Sequence, residues 1–147
     1  MDLMDQRYQK APTDQDLIEY VDADDRVLGR MCRRKIHIRN LKHRSVHVAV
    51  VNHLDQLWLQ KRRSTKDASP GCWDLSATGH LEPGESYDEA ARRELAEELS
   101  IRGNPGIIRK YPATERNGWE FQTLYWLRWD GREPDYNRSE IEQVGLF

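Results

Sequence analysis

No stretch of this sequence is apolar for long enough to cross a bilayer. Runs such as Val48-Ala49-Val50-Val51 fall far short of the roughly 20 residues a membrane helix needs. The N-terminal Met1-Asp2-Leu3-Met4-Asp5 lacks the basic and apolar regions of a signal peptide, so the expected setting is the cytoplasm, with no membrane partner. Cysteine is nearly absent. Cys32 and Cys72 show no close pairing and no zinc-like spacing, which argues against a disulfide framework or a structural zinc site and leaves two ordinary reduced thiols. Neither sign of charge dominates, since 23 Lys and Arg face 25 Asp and Glu for a net charge of −2. No broad basic surface for nucleic acid is therefore expected, and an anionic partner has to be attracted locally. The chain has no internal repeat, and its 147 residues suffice for one domain with a real core.

What is present reads as strands around one long helix. Residues 1–16 are polar and aperiodic, and a mobile arm is expected there. Leu17 to Val21 and Val27 to Gly29 flank the acidic turn Asp22 to Arg26, giving an N-terminal β-hairpin over 17–29. Residues 33–41 are basic and admit either a brief helix or a linker. Ser45 to Asn52 is β-branched and apolar, the mark of a buried strand, and Leu57 to Lys61 returns as its hairpin partner. Arg62 to Gly71 is a polar surface loop, and Cys72 to Ser76 a short strand leading into Thr78-Gly79-His80. Ser86 with Glu89 forms a capping box, which predicts a helix from Tyr87 to about Leu99 with Ala91, Leu95 and Leu99 as its buried stripe. Further strands are predicted at 107–111 and 119–129, and 140–147 is a strand-like tail. The expected class is α/β, a mixed sheet flanked by helix.

The chemistry concentrates between Gly79 and Leu99. Glu94, Glu97 and Glu98 share one helix face within an arc of roughly 100° and would repel one another unless cations lay between them. Hard divalent ions take oxygen ligands, and Mg²⁺ in particular is held by a few carboxylates together with substrate phosphates, so a diphosphate site is indicated. A salt bridge between Glu85 and Arg93 would pin the preceding loop to the helix. His80 is a candidate for ligating a metal or contacting a phosphate, while His47 reads as a satisfied core histidine. Arg62, Arg63 and Lys66 precede this segment and are candidates for phosphate contact, against the alternative of a solvated basic loop.

The segment over 79–101 resembles the Nudix box. Gly79, Glu85, Arg93, Glu94, Leu95, Glu97, Glu98 and Ile101 match its fixed positions, and only Ser100 departs, standing where the pattern has glycine after the helix. The resemblance implies a single Nudix domain with an α/β/α sandwich. It also implies Mg²⁺ or Mn²⁺ bound by Glu94, Glu97 and Glu98 with the Gly79 carbonyl, and a further carboxylate drawn from Glu120, Glu140 or Glu142. Nudix domains commonly continue into another helix, so a sandwich lacking its C-terminal helix, with apolar surface exposed, is expected here.

The similarity reaches beyond the box. Residues 21–29, 43–50, 60–62 and 70–80 resemble the type I isopentenyl-diphosphate isomerase-like branch. Isomerases of that branch carry a cysteine before the Gly-His pair, and Thr78 occupies that place here. Threonine has no accessible pKa near neutrality and cannot replace a thiol in allylic proton transfer. His47, His80 and Glu120 match three of the isomerase metal ligands, whereas Asn40 and Gly118 fall where two others would stand. The expected activity is Mg²⁺-dependent hydrolysis of a nucleoside diphosphate linked to another moiety, acting on a small-molecule substrate. Isopentenyl-diphosphate isomerisation and a non-catalytic ligand sensor are the alternatives, and a homodimer is left open.

Overall fold

Local chemistry sets the long helix first. In the computed structural model, which describes residues 17–66 and 68–147, helix α2 spans Tyr87–Leu99. (The arm expected over 1–16 lies outside the described residues.) Ser86 is its N-cap, with Oγ accepting from the Glu89 amide at 3.1 Å and donating to Glu89 Oε1 at 3.1 Å. At the other end Ser100 adopts the left-handed conformation, φ 55° and ψ 28°, and its amide donates to Ala96 O. The cap that usually takes glycine therefore forms with serine, whose Oγ donates to Asp135 O at 2.7 Å. The buried stripe is as the periodicity predicts: Ala91, Leu95 and Leu99 are enclosed, together with Ala90.

The helix rests on a mixed seven-stranded sheet. N-terminal to it, β1 (Leu17–Val21) and β2 (Val27–Cys32) form a separate antiparallel hairpin, and β2 runs directly into helix α1 (Arg33–Ile38). The central strand β3 (His43–Val51) buries Val46, Val48 and Val50 completely against α2. Its parallel neighbour is β8 (Glu120–Arg128), which continues antiparallel to β7 (Gly106–Tyr111). A short 3₁₀ turn at Glu115–Asn117 precedes β8, closed by the left-handed Gly118.

The hairpin expected between β3 and β4 (Leu57–Arg62) is only two pairs deep, Val50 with Trp58 and Val51 with Leu57. Beyond them the strands diverge, and the segment 73–80 fills the fork. There β5 (Trp73–Asp74) pairs with β4, while β6 (Ala77–His80), expected as a lead-in, is a true strand paired with β3. Ser76 closes the fork: its Oγ accepts from the Val50 amide at 2.8 Å and donates to Trp58 O. The last strand, β9 (Ile141–Leu146), pairs with the free edge of β4.

Because side chains alternate along a strand, His43, Ser45 and His47 point away from the α2 face, and α1 lies on that side. Trp126 (42%) and Phe147 (62%) remain exposed. No helix among the described residues is long and apolar enough to cross a membrane.

Candidate active site

A cleft of about 620 Å³ opens where α2, β6, the first turns of β3 and β8, and the loops around Lys66 and Glu140 meet. Glu94 lies directly over Gly79: a β-carbon at that glycine would stand 2.1 Å from Glu94 Oε1. The glycine is thus a requirement of contact, allowing strand and carboxylate to touch. Glu98 is almost enclosed, accepting from the Thr78 amide at 2.9 Å and from Gln60 Nε2 at 3.1 Å. Glu97 is the outward member, its side chain 56% exposed.

Burial governs the two inner carboxylates. It pushes Glu94 up to about 7 against the pull of Arg93, with Glu97 and Glu85 adding to the rise. It pushes Glu98 up to about 8, reinforced by the neighbouring Glu94 and opposed by the Thr78 and Gln60 hydrogen bonds. These groups favour their neutral forms without a cation, and an ion between them would reverse that preference.

Arg93 is the organiser. It grips Glu85 with both arms, Nε to Oε2 at 2.7 Å and Nη2 to Oε1 at 2.9 Å, and donates to Glu94 Oε1 at 2.7 Å. Nη2 also donates to the His80 carbonyl at 2.9 Å, and Nη1 reaches Glu97 at 3.3 Å. Burial works against its charge, yet these carboxylates hold the guanidinium even more firmly protonated than usual. The expected Glu85–Arg93 bridge is in place and ties the loop, the helix and β6 together.

On the other side of β6 a second constellation appears. His37, His43, His80 and Glu120 come from α1, β3, β6 and β8, and their ligand atoms all lie within 4.8 Å of one another. His80 Nε2 is 3.1 Å from Glu120 Oε1, and His43 Nε2 is 3.3 Å from the same oxygen. His43 Nδ1 donates to Leu41 O at 2.8 Å, which leaves Nε2 buried and facing the cluster, close to Glu120 Oε1 but outside good hydrogen-bond geometry. A ligand atom oriented from behind in this way suits a metal. Burial would raise Glu120, but His43, His80 and the Ser45 hydroxyl outweigh it and hold the carboxyl well below its ordinary range. Burial, with His80 and His43 nearby, keeps His37 down at about 4, hence neutral and free to ligate.

The resemblance matched His47, His80 and Glu120 and placed Asn40 where a further histidine would stand, whereas the histidines that meet His80 and Glu120 are His43 and His37. Register explains it: Glu120 sits opposite His43, whereas His47 is opposite Leu124, about 13 Å further along the strand. His47 lines the cleft instead, 3.4 Å from Ser45 Oγ. Asn40 lies in the turn after α1 with φ 53°, and Gly118 is spent on the turn before β8.

A family model for the NUDIX domain matches residues 41–147. The chain belongs to the Nudix family. A Nudix hydrolase of Nostoc sp. is 35% identical, over 91% of this chain and 82% of the relative, and one from Clostridium acetobutylicum is 31% identical, over 90% and 69%. A similar protein from Pseudomonas aeruginosa, also a Nudix hydrolase, is 41% identical, with the match spanning only 63% of this chain and 55% of the relative. Among solved structures, a Deinococcus radiodurans protein superposes with a TM-score of 0.79 at 28% identity, covering 88% of this chain and 82% of its own. The Nudix domain of Shewanella oneidensis NrtR, solved with ADP-ribose, shares the fold at a TM-score of 0.61 and 16% identity, with coverage of 80% and 83%.

Within this Nudix domain, the box residues Gly79, Glu85, Arg93, Glu94, Glu97 and Glu98 come together as their spacing implied. Arg62 and Lys66 line the cleft, and Arg63 is not among its lining residues. Arg62 Nε donates to Ala68 O at 2.9 Å, and Lys66 pairs with Glu140. Arg33, His37, His43 and Gln60 also stand at the site, and no motif marked them. The spacing of His37 and His43, both upstream of the first core strand, was the available clue for two of them.

Proposed function

We propose that this Nudix domain is a Mg²⁺-dependent pyrophosphohydrolase that cleaves the diphosphate of a small molecule, a nucleoside diphosphate linked to another moiety. The supporting observation is the charge of the cleft. Asp74, Glu82, Glu94, Glu97, Glu98, Glu120 and Glu140 line it against Arg33, Arg62, Lys66 and Arg93. Glu94 and Glu98 stay largely protonated without a cation, and a divalent ion that ionised them would bridge these carboxylates to a diphosphate.

Glu94, Glu97 and Glu98, with the Gly79 carbonyl, would hold Mg²⁺ or Mn²⁺, which neutralises phosphate charge and supplies an activated water. The chain's own groups do the positioning. Thr78 and Gln60 orient Glu98, Arg93 fixes Glu94 and the loop, and Arg62 and Lys66, which line the cleft, would meet the phosphates. The three imidazoles and the Glu120 carboxylate would take a transition ion, for which that donor set is suited. Water then adds across the P–O–P bridge, one phosphorus gaining its oxygen as the other phosphoryl group departs.

The histidine cluster also supports a second reading, isopentenyl-diphosphate isomerisation, since the isomerase-like branch binds a metal with histidines and carboxylates. Thr78 argues against it, because no thiol stands where the proton would be exchanged. Incubation with Mg²⁺ and a panel of nucleoside diphosphate derivatives, alongside isopentenyl diphosphate, separates the two. Phosphate-bearing products lost in Glu98→Gln are expected; dimethylallyl diphosphate as the product would overturn the proposal.

A further inference from the structure

The ammonium of Lys66 stands between two sets of anions. At the rim it is paired with Glu140, and both residues line the cleft. Inward, Lys66 is among the charges that favour ionised Glu98. Lys66 is 22% exposed and Glu140 42%. Glu140 owes its place to backbone contacts rather than to the ion pair. Its amide and that of Ile141 donate to Asn137 O at 3.1 and 2.9 Å, its carbonyl accepts from the Arg63 amide at 3.3 Å, and the Asn137 amide donates to Glu98 O at 2.8 Å. The turn is therefore tied to the last turn of α2 on one side and to the end of β4 on the other. Its carboxylate is presented at the mouth whether or not Lys66 is there.

Resting on the diphosphate reading above, we propose that Glu140 is a surrogate anion. It occupies Lys66 at the rim until a substrate phosphate displaces it, so that the ion pair sets the affinity threshold for entry. Glu140 acts through Lys66 and is a positioning residue, not a ligand of the reacting centre. A phosphate must compete with a carboxylate that is already in contact and also overcome its repulsion. A dianionic or trianionic diphosphate does so more readily than a singly charged ester. The long, flexible lysine stem permits the exchange without movement of the backbone.

The test is calorimetric titration with methylenediphosphonate, a non-hydrolysable diphosphate, in the presence of Mg²⁺. Glu140→Gln keeps the size and hydrogen-bonding shape of the side chain and removes its charge. The expected result is binding tighter by roughly three- to tenfold, in the range of a partly exposed ion pair plus one like-charge repulsion. The same substitution in a Lys66→Met background should then tighten binding less than it does in the wild type, since only the like-charge repulsion is left to relieve; an equal or larger gain there would overturn the inference. A merely structural role for Glu140 would weaken binding in both backgrounds, and a role as metal ligand would weaken it specifically when Mg²⁺ is present; either result overturns the inference. Equal binding by wild type and Glu140→Gln overturns it while leaving the diphosphate reading intact. No binding by either protein would sink both.

Discussion

At the scale of the residue, two contacts carry the site. Gly79 and Glu94 touch so closely that any side chain at 79 collides with the carboxylate, so Gly79→Ala displaces Glu94 with little reason to unfold the sheet. Activity should fall by about a hundredfold or more while the urea midpoint moves by less than a core substitution would cause, measured on the same preparation. Arg93 is the opposite case. It neutralises Glu85 and Glu94 at once, and Arg93→Ala leaves both carboxylates poorly paired, with Glu94 largely enclosed. A loss of about 3 kcal/mol in urea denaturation is expected, because removing one member of a buried ionic network strands the rest. An Arg93→Ala protein as stable as wild type would show that the network contributes little.

At the scale of the element, α2 was legible because everything that defines it is local. The Ser86 cap, the apolar stripe and the carboxylate spacing all lie within one turn or two of each other in sequence. Its C-terminal end illustrates how a departure from the expected residue is accommodated. The left-handed position costs a serine about 1 kcal/mol relative to glycine, and the hydrogen bond from Ser100 Oγ to Asp135 O offsets a similar amount. Ser100→Ala keeps the strained backbone and loses the bond, so it should destabilise by about 1 kcal/mol. Ser100→Gly relieves one and loses the other, and should change stability by less than about 0.5 kcal/mol. Thermal denaturation of the two variants side by side checks this. The fork between β3 and β4 was not legible. Its strands pair over two residues and then exchange partners with a segment that begins beyond a polar loop, and nothing in either strand's own sequence encodes that divergence. The histidine cluster escaped for a related reason: its members come from four elements and meet only through the parallel register of β3 and β8, set by chain far away.

At the scale of the whole molecule, the cleft stores charge in protonated form, and the pH dependence of stability follows. Glu94 and Glu98 titrate near 7 and 8 in the fold, against about 4.5 when unfolded. Between those limits the folded protein binds more protons than the unfolded chain, so its stability falls as pH rises. His37, His47 and His80 run the other way, since burial keeps them neutral, but their contribution fades about one pH unit above their ordinary value of 6.5. From about pH 7.5 to 8.5 the carboxylates dominate. Tm measured in EDTA should decline across that window, and Mg²⁺ should flatten or reverse the slope by favouring the ionised forms. A Tm in EDTA that rises over the same window would contradict the assignment of both groups.

As proposed, this cleft adds water to a phosphorus atom while the box carboxylates hold the metal. Turnover of nucleoside diphosphate derivatives in ¹⁸O-labelled water, with products weighed by mass spectrometry, tests it most directly. One heavy oxygen is expected in a phosphate product, present with Mg²⁺ and absent both in EDTA and in Glu98→Gln. Conversion of isopentenyl diphosphate to its isomer with no heavy oxygen in any phosphate would contradict it.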